Sequence, residues 1–311
     1  ILIYEALGFD VPVFAHLSMI LGPGGKKLSK RHGATNVEEY RDRGHLPDAL
    51  VNFLALLGWS LDGETTIIPP AELCRTFSLD RITKKHSVFD EKKLDWMNGV
   101  YIREMGAAAW VDAAKPWLAQ TNLDGSNVPD GITIAPTPTK EEAEAAAREL
   151  RLPGADVDAD TWEACLADVD DDREFYEAMY PLVAERLAHL DEIPAKLAFL
   201  FWGDSVVLDE KSVQKVLLKE GARADEALAI CRAILADDDN PWDAEALEEL
   251  CRAAGEEAGL KPKLLFQPLR VAVCGNMVSP PLFEAMMLMD PADIVARIDG
   301  VTETVFSERA N

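Results

Sequence analysis

The densest chemistry in the 311-residue sequence lies at Lys26-Lys27-Leu28-Ser29-Lys30-Arg31-His32-Gly33, directly behind the run Gly22-Pro23-Gly24-Gly25. Clustered ammonium and guanidinium groups attract phosphate, and glycines let a loop close over a ligand and reopen. A Walker A loop is excluded, because that motif places Ser or Thr directly after its lysine and here Lys27 follows Lys26. On the residues alone the stretch is either a phosphate-binding loop or a solvated basic loop. Metal chemistry has no comparable signal. The five cysteines, Cys74, Cys165, Cys231, Cys251 and Cys274, are far apart and odd in number, and the five histidines show no His-x-x-x-His spacing. That usage favours free thiols in a reducing cytoplasm and predicts no metal site.

The elements that must position the basic loop follow from apolar patterning. Val11 to Leu21 reads as a buried strand broken by the glycine run. Asn36 to Arg43 reads as a short polar helix, and Pro47 to Leu57 as an apolar one stopped at Gly58. Helices are also predicted over Pro70–Phe77, Asp80–Lys85 and Asp90–Asn98, the last capped by Asp90 and ended by Gly99. Trp59, Trp96 and Tyr101 read as core side chains. Residues 118 to 139 crowd Asn, Asp, Gly, Ser, Pro and Thr and read as a long loop. Thr139-Lys140-Glu141-Glu142 resembles a capping box ahead of an Ala-rich helix, with a break at Pro153 to Asp160. Leu182, Val183, Leu187 and Leu190 have the spacing of a half-buried helix, and Leu197, Leu200 and Phe201 extend that surface. Further breaks fall at residues 237–241, Gly259, Gly275 and Pro280-Pro281. Helix therefore dominates, with one or two short strands expected around residues 11 to 34.

Length and a 48% hydrophobic content allow two or three domains. The longest apolar runs fall far short of the roughly 20 residues needed to span a bilayer, so no membrane segment is expected. The opening Ile1-Leu2-Ile3-Tyr4-Glu5-Ala6-Leu7-Gly8 lacks a signal-peptide pattern and reads as a helix entered midway, with sequence expected upstream. A net charge of −24 argues at first against a nucleic-acid partner. The distribution weakens that objection. Residues 1 to 105 carry 13 basic and 14 acidic side chains, whereas 106 to 311 carry 18 and 41, so local patches matter more than the total.

Lys27-Leu28-Ser29-Lys30-Arg31 resembles the signature loop of class I aminoacyl-tRNA synthetases, Lys-Met-Ser-Lys-Ser in its common form. Further segments narrow the resemblance to bacterial-type glutamyl-tRNA synthetase: Phe14-Ala15-His16-Leu17, Leu54-Ala55-Leu56-Leu57-Gly58-Trp59, Lys93-Leu94-Asp95-Trp96-Met97-Asn98-Gly99 and Tyr101-Ile102-Arg103. Towards the other end, Leu260 to Ala272 and Ser279-Pro280-Pro281-Leu282-Phe283 are similar to the anticodon-binding region of that family. The loop ends in Arg31 rather than Ser, a variant that glutamate-type enzymes show. The His-x-Gly-His signature and the amino-acid pocket, which in the family precede this loop, do not occur in the sequence.

The resemblance implies a mainly α chain: the end of an α/β Rossmann-like class I catalytic domain with the ATP loop (1–33), a helical stem-contact domain (34–105), and two helical anticodon-binding domains (106–205 and 206–311). It implies a glutamate-tRNA ligase that uses ATP with Mg²⁺, here expected as a tRNA-binding portion unable by itself to form the adenylate. A free-standing, non-catalytic tRNA-binding module is the alternative. Lys30 takes the leading role on the ATP phosphates and Lys27 a supporting one, Ser29 and the local backbone shape the loop, and Leu28, Ser29 and Arg31 join the two lysines as ATP-binding residues. His32 either touches nucleotide or packs. Lys84, Lys85, Lys92 and Lys93 are expected phosphate contacts to tRNA or else solvated. Lys261, Lys263, Gln267 and Arg270 are expected at an unstacked anticodon, with Arg270 alternatively bridging helices. The implied partners are tRNA-Glu, ATP and glutamate, for a cytoplasmic monomer.

Overall fold

The computed structural model describes residues 1–26, 36–126, 128–137 and 157–307. The basic loop Lys27 to Arg31 with His32, the Thr139–Glu142 capping box and the Ala-rich helix expected behind it lie outside the described residues. The chain forms two compact units, one of residues 1–41 and 45–101, the other of residues 42–44 and 102–311.

The first unit holds α1 (Leu2–Leu7), β1 (Ile20–Leu21), α2 (Val37–Asp42, its last residue counted with the second unit), α3 (Pro47–Ala55), α4 (Pro70–Thr76), β2 (Ser87–Val88) and the start of α5 (Glu91–Glu104). Its core forms where α3 and α5 bury Phe53, Leu94 and Met97 with Tyr40, and a second cluster joins Trp59, Ile68 and Leu73. Two buried asparagines fix the loops around that core. Asn98 Oδ1 accepts from Leu46 N at 2.7 Å, and Asn52 Oδ1 accepts from Ile68 N and from the Tyr101 hydroxyl, both at 2.9 Å. Each supplies a partner to a backbone N–H that burial would otherwise strand.

Several expectations fail here for identifiable reasons. The strand expected over Val11–Leu21 shrinks to two residues, paired in parallel with Ser87 and Val88, and Val13 stays 96% exposed. An extended segment is held by a neighbour's ladder bonds, and here only Ile20 and Leu21 have one. The Asp80–Lys85 helix is only a 3-10 turn, Leu79–Arg81. Gly99 does not end α5, which runs on to Glu104. A helical glycine costs only about 1 kcal/mol, which the buried Leu94, Met97 and Ile102 on the same helix outweigh. Trp59 is core, but Trp96 is 51% exposed.

The second unit continues through α6 (Ala107–Ser126), β3 (Ile132–Ala135), α7 (Ala159–Asp171), α8 (Arg173–Val183), α9 (Ile193–Leu197) and β4 (Val206–Asp209). A short helix α10 (Glu210–Ser212) then widens into a π turn over Val213–Leu217. The end of the unit is α11 (Ala224–Leu235), α12 (Ala244–Glu257), α13 (Pro262–Cys274), α14 (Leu282–Met286) and α15 (Pro291–Phe306). The loop expected over 118–139 is a correction: α6 runs to Ser126 and β3 follows. Burial overrides the turn-forming composition there. Leu118, Ala119 and Gly125 are buried, Asn122 Nδ2 donates to Asp168 Oδ2 at 2.9 Å, and a Cβ on Gly125 would stand 2.3 Å from Phe201 Cβ. Strands β3 and β4 pair in parallel with Ile132 opposite Val206, so strands are not confined to residues 11–34. Leu182, Val183, Leu187 and Leu190 are buried outright, carried by α8 and the short turns after it.

Two residues lock this unit near its end. Arg297, 1% exposed, donates to Gly203 O at 2.7 Å and Val273 O at 2.8 Å and lies over the Trp202 ring. Gly275 caps α13 with φ 81° and accepts from Asp209 N at 2.8 Å, so the helix end approaches β4 closely. No helix among the described residues is long and apolar enough to cross a membrane.

Candidate nucleic-acid interface

In the first unit the backbone leading into the basic loop is a closed glycine turn. Gly22 N donates to Lys26 O at 2.7 Å, while Gly24 and Gly25 adopt φ of 77° and 73°, values that glycine reaches without steric cost. Lys84 lines a pocket of about 340 Å³ with His16, Ser18 and Thr83. Lys85 is exposed beyond it, and Lys92 and Lys93 are exposed on the first turn of α5. None of these four ammonium groups pairs with a described carboxylate.

In the second unit, ion pairing divides the cations into two sets. Every described arginine there is engaged. Arg173 bonds Asp112 and Glu177, Arg232 makes a two-point bond to Asp299, and Arg223 and Arg252 hold Glu226 and Glu248 on their own helices. Arg43 reaches His189, Arg103 lies 3.8 Å from Glu185, and Arg186 donates to Ser279 O. Lys115 and Lys196 are paired with Asp170 and Glu192. The remaining described lysines, Lys211, Lys215, Lys219, Lys261 and Lys263, make no side-chain ion pair among the described residues, and they fall in just two segments.

Those segments meet. Lys215 and Lys219, in and just beyond the π turn, line a pocket of about 370 Å³ together with Lys263, Leu264, Gln267 and Pro268 of α13 and with Met277 and Val278. Local backbone chemistry builds the first side: Asp209 Oδ2 accepts from Ser212 N at 2.8 Å to start α10, and Leu218 N reaches back to Val213 O at 2.9 Å to close the wide turn. Such single wide turns occur often where a helix is shaped for function. The second side begins with Lys261 at the N-cap position of α13, without a side-chain cap bond, Pro262 at the first helical position and Lys263 in the first turn, with no acidic side chain there.

The sequence candidates thus separate. Lys263 and Gln267 line the pocket, and Lys261 is exposed at the start of the same helix. Arg270 does not face it. Its Nη1 donates to Pro280 O at 2.6 Å, to Ser279 O at 3.3 Å and to Ser279 Oγ, which ties α13 to the turn before α14, and burial lowers its affinity for the proton. These bonds give Arg270 a bridging role, and the side chain also lines a separate pocket of about 220 Å³ with Glu248, Phe266 and Leu282. Lys215 and Lys219 escaped sequence reading. Their signal was the spacing of Lys211, Lys215 and Lys219 at four-residue intervals within an acidic half. The ATP-loop candidates Lys27, Leu28, Ser29, Lys30 and Arg31 lie outside the described residues.

The family model described as anticodon binding domain matches residues 142–302, more than half the chain. The model for tRNA synthetases class I (E and Q), catalytic domain, matches residues 1–96. The chain is 37% identical over 301 residues to the glutamate–tRNA ligase of Moorella thermoacetica, covering 96% of this chain and 52% of that one. It is 35% identical over 307 residues to that of Natranaerobius thermophilus, covering 99% and 54%. Among solved structures, a glutamate tRNA ligase from Elizabethkingia meningosepticum, crystallised in complex with its amino acid, aligns with a TM-score of 0.65 at 25% identity. That alignment covers 98% of this chain and 54% of the other. The chain spans about half the length of the relatives it matches. With a mainly helical fold, a class I catalytic segment and an anticodon-binding domain, the chain belongs to the glutamate-tRNA ligase family of class I aminoacyl-tRNA synthetases.

Proposed function

We propose that this chain supplies the ATP-loop and tRNA-binding portion of a glutamate-tRNA ligase, with tRNA-Glu as its RNA partner. The observation that carries the reading is the match of an anticodon-binding domain to more than half the chain. The gathering at one pocket of Lys215, Lys219 and Lys263, three of the five described lysines in that unit without a described ion pair, supports it. In a net acidic protein, long-range attraction to RNA is weak, so affinity must come from such local cations.

In the whole enzyme glutamate attacks the α-phosphate of ATP and pyrophosphate leaves, giving a glutamyl adenylate; a hydroxyl at the tRNA 3′ end then takes the glutamyl group, and AMP leaves. Mg²⁺ enters with ATP as part of that substrate. Lys30, supported by Lys27, faces the charge that grows on the departing pyrophosphate and so stabilises the transition state more than the ground state. Leu28, Ser29 and Arg31 belong with the two lysines to the ATP-binding set, and the glycine turn at Gly22 to Lys26 directly precedes them in the chain. Lys84, Lys85, Lys92 and Lys93 belong to the stem-contact segment 34–105, where they position RNA through phosphate without reading sequence. Segments 106–205 and 206–311 form the anticodon-binding part. The protein acts in the cytoplasm as a monomer.

Titration of the chain with a tRNA-Glu transcript over a salt series tests this. The expected result is binding whose log K falls linearly with log salt. Absence of binding at low salt overturns the reading.

A further inference from the structure

Five cysteines stand in the 311-residue chain, and two of them touch. Cys231 on α11 and Cys251 on α12 are both completely buried, and their thiols are hydrogen-bonded to each other where the two helices pack. Each lies on the apolar stripe of its helix, Cys231 between Leu228 and Leu235, Cys251 one turn after Leu247. A single buried cysteine serves as a small apolar filler, a role that needs no second thiol. Among the described residues no third His, Cys, Asp or Glu joins the pair in a group able to hold a metal ion. Closure to a disulfide is the covalent reaction open to two such thiols that leaves no charge in the core.

The surroundings hold the two sulfurs together. Next to Cys231, Arg232 ties α11 to Asp299 of α15 through two bonds. Next to Cys251, Arg252 pairs with Glu248 and lies over the Phe266 ring of α13 at 5.3 Å. One turn further along α12, a Cβ on Gly255 would stand 2.6 Å from Leu265 Cδ2, so α12 and α13 are in close contact. A disulfide needs two backbones already near bonding separation, and this packing supplies them. The same packing keeps the pair reduced while the helices are closed. The neighbouring Cys251 thiol and burial hold the proton on Cys231 well above the ordinary thiol range, and the thiolate is the form that attacks an oxidant. Reaction therefore waits on a local opening of α11 from α12, which costs less than global unfolding.

We infer that Cys231 and Cys251 are a redox-sensitive lock, which a hydroperoxide closes to a disulfide when the α11–α12 hairpin opens and which then holds the hairpin shut. One sulfur gives up its proton and attacks the O–O bond; that bond breaks, the sulfur becomes a sulfenic acid, and the other oxygen leaves with a proton as water. The second sulfur, also deprotonated, attacks the first; the S–O bond breaks, the oxygen leaves as a second water, and the S–S bond forms. Each sulfur loses one electron, and the two peroxide oxygens take up the pair. A thiol reductant reopens the bond by exchange. This site owes nothing to the tRNA reading and stands or falls apart from it.

The test treats the full chain with hydrogen peroxide at a series of urea concentrations below its unfolding midpoint, followed by alkylation and peptide mass mapping. The expected product is a peptide pair joined through Cys231 and Cys251, formed faster as urea rises. Because the bond closes a loop of about 20 residues, the thermal midpoint of the oxidised chain is expected to be about 5 to 10 °C higher before dithiothreitol than after it. Cys251→Ser, given the same treatment, is expected to show no such difference and to leave Cys231 as a sulfenic acid that dimedone traps. Each protein is compared with itself before and after reductant, so a change in folding caused by the substitution does not enter. Cys74→Ser and Cys165→Ser, which remove the more accessible thiols, are expected to keep the difference. Recovery of Cys231 and Cys251 as alkylated thiols at every urea concentration, their joining to other cysteines, or a Cys231–Cys251 bond that leaves the midpoint unraised overturns the lock.

Discussion

Replacing Arg270 by Ala separates a residue that holds the protein together from one that holds RNA. Its guanidinium donates to Pro280 O at 2.6 Å, to Ser279 O at 3.3 Å and to Ser279 Oγ. A net contribution of about 1.5 to 3 kcal/mol is typical of hydrogen bonds to a charged group. The full sum is not lost here, because Ser279 O also accepts from Arg186, and Pro280 O also accepts from the Ser279 hydroxyl at 3.2 Å. The expected cost of Arg270→Ala is therefore about 2 to 3 kcal/mol, from one bond lost outright and others weakened. Arg270→Lys recovers only part of it, since an ammonium on a flexible stem is not held at the position of Nη1 as a rigid guanidinium holds it. Urea unfolding read by circular dichroism is expected to show a lower midpoint with an unchanged m-value. Under conditions where the variant is folded, the salt slope of RNA binding is expected to match wild type. An unchanged midpoint together with a slope lowered by about 0.7 would refute the reasoning and place Arg270 on a phosphate.

Gly275→Ala would put a Cβ 2.2 Å from Val207 O at a residue with φ 81°, so a loss of about 2 to 4 kcal/mol is expected in thermal or urea unfolding. Arg297→Ala strands the buried carbonyls of Gly203 and Val273, at about 3 to 5 kcal/mol, whereas Arg297→Met recovers part of the packing. Burial pushes the Arg297 guanidinium down to about 10, so it stays charged at neutral pH and this cost is flat across pH 5 to 8. Glu192 accepts from Ala188 N at 3.0 Å and His189 N at 3.2 Å and pairs with Lys196; burial works to raise its carboxyl, but these bonds and the Lys196 charge hold it below its usual value of 4.5. A depressed carboxylate stabilises above its unfolded pKa and loses that contribution as pH falls through its folded one. The deficit of Glu192→Gln, about 1 to 2 kcal/mol at pH 7, is therefore expected to fade below about pH 4.5 in a pH series of urea midpoints.

The helical second half was legible because apolar spacing and breakers such as Gly259, Gly275 and Pro280-Pro281 act locally. What was not legible depended on partners distant in sequence. Residues 118–126 look like a loop until Asp168 and Phe201 arrive to satisfy and cover them. Val11 to Leu21 looks like a strand, but its alternation cannot supply the neighbouring strand that would hold it. Parallel pairing of Ile132–Ala135 with Val206–Asp209 spans more than seventy residues and leaves no short-range mark. The site divides in the same way. Lys263 and Gln267 stood out against an acidic background, and so did Arg270, yet charge alone could not show that Arg270 turns toward Ser279 and Pro280. Lys215 and Lys219 carried only a four-residue spacing in the sequence, and α13 alongside the π turn is what joins them to Lys263.

The most direct measurement is the binding of the purified chain to tRNA-Glu with its native anticodon, to a variant changed at one anticodon base, and to an unrelated tRNA, over a common salt series. An anticodon-binding domain predicts weaker binding as salt rises for all three, with a preference for the native anticodon that persists at every salt concentration. Equal affinity for the three RNAs at every salt concentration would contradict it.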